Sequence, residues 1–221
     1  IKKYSTFNHE IIIHVNEGRD GTKEWLDAKN IRYTFFEKNK GVCEGTNLAA
    51  SLGSSDFVVY FNDDMVALPK WDEELINYMS QLNVDKFLLC PTPIEPVGTN
   101  PNCIIKNYGK TINNFNEENI INDLDNLRKL KPNLISTWSP LLIPRDLWNK
   151  VGGYSVEYEP GFGSDPDLCK KLYDVGCRHF IGVGKSLIYH FQSKTTKRVS
   201  NNESRKIFER KYGLSLDYFI N

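Results

Sequence analysis

The sequence predicts an α/β fold, a mixed and mainly parallel sheet flanked by helices, in a single domain. Three observations carry this. Short apolar, β-branched runs alternate with stretches of helical length along the first sixty residues, the order strand, helix, strand, helix, strand that builds a parallel sheet. A chain of 221 residues buries one sizeable core and is short for two independent ones. Hydrophobic residues at 40% and charged residues at 25% are the mix of a globular protein.

The elements follow in order. HEIIIHV (9–15) reads as a buried strand and NEGRDGT as the loop after it. Thr22 is placed to cap a short helix, TKEWLDAKN, ending near Asn30. IRYTFFE is a second strand, residues 43–52 a second helix stopped by Gly53, and DFVVYF a strand covered on both faces. WDEELINYMSQL has the pattern of an amphipathic helix, and KFLLCPTPI that of a strand stopped by prolines. Residues 98–133 are rich in Asn, Ile and Lys, with a helix expected between Glu117 and Leu130; such a stretch suits an elaboration facing an acceptor. ISTWSPLLIP, the helices RDLWNKVGG and DPDLCKKLYDVG, the strand SLIYHF and a last helix around SRKIFERKYG complete the chain. Residues 1–8 look like the end of a helix entered midway, so an element is expected to precede them.

Some functional classes are disfavoured. Lys plus Arg and Asp plus Glu balance at 28 each, leaving no global field to draw the chain onto nucleic acid. No apolar run reaches the roughly 20 residues of a membrane span, and no signal peptide opens the chain. Five scattered cysteines without a CxxC pair fit a reducing, cytoplasmic setting better than a disulfide framework or a structural zinc site. A place at the periphery of a membrane stays open.

Three constellations carry candidate chemistry. In FNDDM, directly after DFVVYF, Asp63 and Asp64 stand where ligands of an open α/β sheet bind. Successive side chains of an extended segment point to opposite faces, so one carboxylate would hold a hard cation and the other a hydroxyl of the ligand. Mn²⁺ or Mg²⁺ with few protein ligands completes its shell from phosphates and water. These two residues alone favour an ordinary polar turn. In GFGSDPDLCKKL, Ser164 as N-cap and Asp167 form a capping box, which leaves Asp165 either as a general base or as a complement to the helix dipole. His190 shares a strand face with Ile188, opposite Leu187, Tyr189 and Phe191; by itself it reads as an ordinary core or surface histidine. Lys194, Lys197 and Arg198 follow in a basic loop able to close over a diphosphate.

In this order and spacing the segments resemble the family 2 inverting glycosyltransferases of the GT-A fold, over most of the chain. NEGRDGT stands at the family's DDGSTDGT-like turn, NKGVCEGTNLAA at the stretch before the metal strand, FNDDM at the DxD motif. VGGY precedes an acidic motif matched by SDPDLCKKL, and YHF closes the set. The resemblance implies a metal-dependent transfer of sugar from a nucleotide-sugar donor, a UDP-sugar by default, to a carbohydrate or other hydroxyl acceptor. It implies Asp64 and His190 as ligands of Mn²⁺ or Mg²⁺, and Asp165 as the catalytic base. Asp63, Asn16, Glu17, Gly41 and Asn47 fall on the donor side, and Trp138 becomes a candidate acceptor platform or a core residue. Residues 1–97 would form the nucleotide-sugar half and 98–221 the acceptor half, with base and C-terminal lid.

The chain departs from the family pattern at three places. The turn at Asn16–Glu17 is one residue short, Ser164 stands where an acid precedes the base, and the family's first strand is missing from this sequence. Two rivals remain: a nucleotidyltransferase, which would bring a glycine-rich phosphate loop, and a non-catalytic nucleotide- or glycan-binding module, which would need no base.

Overall fold

The computed structural model describes residues 1–128, 131–134, 140–192 and 203–220. In chain order they form β1 (Ile12–Asn16), α1 (Thr22–Ala28), β2 (Arg32–Phe36), α2 (Val42–Ser51), β3 (Phe57–Tyr60), β4 (Met65–Ala67), α3 (Trp71–Met79), β5 (Phe87–Glu95) and β6 (Ile104–Ile105). There follow α4 (Glu117–Leu127), β7 (Asn133–Leu134), β8 (Leu141–Pro144), α5 (Arg145–Val151), α6 (Ser164–Asp174), β9 (His179–His190), α7 (Glu203–Tyr212) and α8 (Leu216–Ile220). The expected α/β alternation is present, with β4 as an addition that the sequence pattern does not reveal. The chain divides into two compact units, one of Ile1–His9, Val59–Ile143 and the β9 strand, the other of Glu10–Val58, Pro144–Gly176 and the C-terminal helices.

Among its described residues the first unit carries a seven-stranded sheet ordered β3-β8-β5-β9-β4, with β6 on β5 and β7 on β9. β9 runs parallel to β5 and antiparallel to β4. All nine residues of β5 are buried, which is why it reads as one apolar run. Its prolines do not end it, because the ladder shifts beside Pro91. Pairing passes from Pro91↔Val183 to Thr92↔Leu187, so Gly184, Lys185 and Ser186 of β9 have no counterpart. A proline that cannot donate to a ladder is tolerated at such a bulge. Ser186 is buried there and donates to the Trp71 carbonyl at 2.6 Å, whereas Lys185 is exposed.

The 98–133 stretch supplies α4. Its Ile120 and Leu124, one turn apart, pack with Leu68, Ile94, Tyr108, Leu187 and Tyr189 in one buried cluster, each such side chain contributing about 1.5–3 kcal/mol by burial. The Tyr189 hydroxyl donates to the Gly109 carbonyl at 2.6 Å and accepts the Tyr108 N–H at 3.0 Å. At the N-terminus Tyr4 N–H closes a turn onto the Ile1 carbonyl in place of the expected helix end. Buried Asp72 accepts the N–H groups of Thr6 and Phe7 and contacts His9 Nε2 at 2.8 Å, tying this segment to α3.

The second unit is built on the parallel pair β1–β2, in register from Ile12↔Arg32 to Asn16↔Phe36. Helix α2 comes close enough to β1 that a Cβ at Gly45 would lie 2.3 Å from the His14 ring. The expected capping box at α6 does not form. Gly163, at φ 82°, is the N-cap, and Ser164 is the first helical residue, donating to the Gly161 carbonyl at 2.6 Å. Asp167 is instead fully buried and accepts from Ser155 Oγ at 2.6 Å and Tyr212 OH at 2.7 Å, with Lys211 Nζ at 2.8 Å. Burial alone would raise its pKa; these donors outweigh it and hold the carboxyl below its usual range, fastening α7 to α6. No helix among the described residues is long and apolar enough to cross a membrane.

Candidate active site

In the first unit the site grows from the pairing of three strands. Asp63 and Asp64 form the turn between β3 and β4, Asp63 exposed and Asp64 half-buried. Antiparallel pairing sets Met65 opposite His190, and the Asp64 carbonyl accepts the Phe191 N–H at 3.0 Å. The Asp64 side chain thereby comes beside the imidazole, Oδ2 to Nε2 3.4 Å. On the other flank β5 pairs Ile94 with Tyr189, which carries Glu95 to the same level as His190. Glu95 is buried, and its Oε1 lies 2.7 Å from His190 Nδ1. Its Oε2 accepts from Gln192 Nε2 at 2.9 Å.

Burial disfavours a charged imidazole, yet the nearby carboxylates of Asp64 and Glu95 outweigh it and raise the His190 pKa to about 9. Glu95 is likewise pushed up by burial and brought lower overall by His190 and Gln192. Among the described residues no group of three or more His, Cys, Asp and Glu is gathered to hold a metal. The pair Asp64–His190 nevertheless suits one shared cation. Nε2 is buried and has no hydrogen-bond partner, and two ligands each about 2.1 Å from one ion lie roughly 3 Å apart at a right angle. A cation held there would need the Nε2 lone pair, so its binding would compete with protonation of the ring. Phosphates and water would complete the shell of such a two-ligand site.

In the second unit Asp165 lies in the first turn of α6, half-buried, and Oδ1 accepts the Tyr154 hydroxyl at 2.8 Å. Burial raises its pKa and the tyrosine bond partly counters this. A carboxylate with a raised pKa is a better proton acceptor near neutrality. The tyrosine is itself clamped. Asn47 accepts the Tyr154 N–H at 2.8 Å and donates to the Tyr154 carbonyl at 2.7 Å. Both ends of the Asn47 amide, expected on the donor side, are thus engaged with this main chain. At Gly153 a Cβ would stand 2.3 Å from Asn47 Oδ1, which accounts for the glycine of VGGY.

Asn16 and Gly41 also meet. Asn16 Nδ2 donates to the Gly41 carbonyl at 3.2 Å, and Asn16 Oδ1 accepts the Lys40 N–H at 3.2 Å. Gly41, at φ 91°, is the N-cap of α2. A Cβ there would fall 1.7 Å from Glu159 Oε2, whose carboxylate accepts the Glu44 N–H at 2.8 Å. Glu17 is exposed at φ 66°, its N–H on the Phe36 carbonyl at 2.9 Å. Trp138 and the basic residues Lys194, Lys197 and Arg198 lie outside the described residues.

A family model described as "Glycosyl transferase family 2" matches residues 1–135. Among solved structures the chain is similar to GalNAc-T7 with UDP, GalNAc and Mn2+ at 15% identity and a TM-score of 0.57, over 82% of this chain and 37% of that one. It is similar to a mycobacterial protein at 16% identity and TM-score 0.56, over 90% of this chain and 62% of the other. A third is the mannosyltransferase PcManGT from Pyrobaculum calidifontis in complex with GDP-Man and Mn2+, at 14% identity and TM-score 0.56, over 96% of this chain and 57% of that one. The chain therefore spans between 37% and 62% of these proteins' lengths. No curated protein matches the chain. At these identities the three likenesses establish a shared fold.

Proposed function

Because the chain belongs to glycosyl transferase family 2 and shares the GT-A fold, we propose that it is a metal-dependent inverting glycosyltransferase. The donor is a nucleotide sugar, a UDP-sugar by preference, and the acceptor a carbohydrate or other hydroxyl compound. The observation that carries this reading is the buried Nε2 of His190, without a hydrogen-bond partner beside Asp64. Two solved neighbours of the same fold contain Mn2+.

Asp64 and His190 hold Mn²⁺ or Mg²⁺, and Asp63 takes a ribose hydroxyl or a water of the cation. When bound, the cation offsets charge on the departing diphosphate as a Lewis acid and template. Asn16 and Glu17 face the nucleotide base. Gly41 and Asn47 act by shaping the main chain on the donor side. Asp165 removes the proton of the acceptor hydroxyl as its oxygen attacks the anomeric carbon. The bond from that carbon to the diphosphate breaks, the nucleoside diphosphate leaves, and the configuration inverts. Residues 1–97 serve the donor and 98–221 the acceptor, Trp138 being the sugar platform.

The test is nucleotide-sugar turnover with Mn²⁺ and after EDTA. Nucleoside diphosphate release that EDTA abolishes is expected. Tight binding without release would mean a binding module, and release of pyrophosphate from a nucleoside triphosphate would mean nucleotidyl transfer.

The Tyr154–Asp165 bond gives a further expectation. The tyrosine hydroxyl stabilises the ionised carboxylate, so Tyr154→Phe lets burial raise the Asp165 pKa further. The Cys43 thiol, coupled to Asp165 by charge, is pushed up to about 12, by burial first and then by Glu159, and stays neutral. A base works ionised, so the acid limb of kcat/KM against pH moves to higher pH in Tyr154→Phe. A limb that does not move speaks against Asp165 as the base.

A further inference from the structure

His190 is held between two carboxylates that arrive on its two neighbouring strands, Asp64 ahead of β4 and Glu95 at the end of β5. Their contacts differ in kind. Glu95 Oε1 meets Nδ1 at 2.7 Å, a full hydrogen bond, whereas Asp64 Oδ2 stands 3.4 Å from an Nε2 that makes none. The ring thus has a closed side and an open side.

We propose that Glu95 is a positioning residue of the metal site, holding the proton of His190 on Nδ1 so that the Nε2 lone pair faces the cation beside Asp64. This rests on the reading of Asp64 and His190 as metal ligands. An ionised carboxylate only accepts, and a neutral imidazole has one N–H to give. With Glu95 on Nδ1, the tautomer is therefore fixed. Outer partners of this kind orient the ring and raise its basicity toward a metal.

Glu95 is itself held. Its side chain is 10% exposed, and its second oxygen takes the Gln192 amide. The same amide nitrogen reaches the Val97 carbonyl. Gln192 adopts φ 63°, a left-handed backbone uncommon outside glycine. A glutamine at position 95 cannot replace this arrangement. It has one accepting atom where the carboxylate serves His190, Gln192 and the Cys103 thiol, and an amide N–H turned to Nδ1 would place the ring proton on Nε2, where the cation would bind.

The test is a Mn²⁺ titration of the full-length protein, without substrate, by calorimetry or by the paramagnetic resonance of free Mn²⁺. E95Q is expected to weaken Mn²⁺ binding by about 10–100-fold, the range for lost outer partners of a metal-bound histidine. In an H190A background it should cause no further loss, because Glu95 acts through that ring. Wild-type affinity in E95Q overturns the proposal, and so does an undiminished loss in the H190A background. If H190A alone binds Mn²⁺ like the wild type, the metal-site reading itself fails, and the proposal with it.

Two further measurements separate positioning from simple stabilisation. Long-range ¹H–¹⁵N spectra above the ring's pKa should show the Nδ1–H tautomer in the wild type and Nε2–H in E95Q. An unchanged tautomer overturns the proposal. Should E95Q fail to fold, Gln192→Ala keeps both ring and carboxylate but frees the carboxylate to turn. A several-fold weaker Mn²⁺ affinity is expected, and unchanged affinity again overturns it.

Discussion

Asp165→Asn is expected to lower turnover by about 10²–10⁴-fold, the contribution of a positioned base, while donor affinity stays close to wild type. The substitution is nearly isosteric, and its amide oxygen still accepts the Tyr154 hydroxyl that now binds Oδ1 at 2.8 Å. Packing at the start of α6 is therefore kept, and only the capacity to take a proton is removed. The expected split is a fall in kcat from nucleoside diphosphate release with an unchanged Kd for the donor in the presence of Mn²⁺. An equal loss of donor affinity would sink the assignment, since it would make Asp165 a binding residue. Burial raises the pKa of Asp165, and a carboxylate with a raised pKa takes a proton more readily near neutrality.

Asp64→Asn should have an effect of similar order by another route. It removes one of the two proposed protein ligands and leaves the His190 ring with Glu95 alone. A metal acting on a leaving group supplies several kcal/mol of transition-state stabilisation, and each 1.4 kcal/mol or so is tenfold in rate, which sets a loss of roughly a hundredfold or more. The loss should be partly recovered by raising Mn²⁺, because a weakened site fills again at higher concentration. A deficit indifferent to Mn²⁺ concentration counts against Asp64 as a ligand.

Much of the scaffold is legible in the sequence because its elements are local. DFVVYF, WDEELINYMSQL and RDLWNKVGG each announce a strand or helix within a few residues, and the structure places β3, α3 and α5 on them. What escapes is what depends on distant partners. β4 is three residues long directly after the Asp63–Asp64 turn, and it exists as a strand only by pairing with β9. Glu95 sits in PTPIEP, where the prolines suggest a strand end; its meaning comes from a strand ninety-five residues later. Asp167 looks like half of a capping box because Ser164 stands three residues before it, yet a positive φ at Gly163 moves the cap. The carboxylate turns instead to Lys211 and Tyr212 on α7. Asn47 shows a similar limit, since a lone asparagine does not say that both its amide ends clamp a tyrosine main chain.

The unmatched Gly184–Ser186 segment of β9 also decides which residue can meet Glu95. Without it, pairing continued evenly from Pro91↔Val183 would set Lys185 against Pro93 and Leu187 against Glu95. An odd slip also turns every later side chain to the opposite face. Lys185 itself stays exposed within that unmatched segment. The three unmatched residues keep Leu187 opposite Thr92 and Tyr189 opposite Ile94, and so leave Glu95 level with His190.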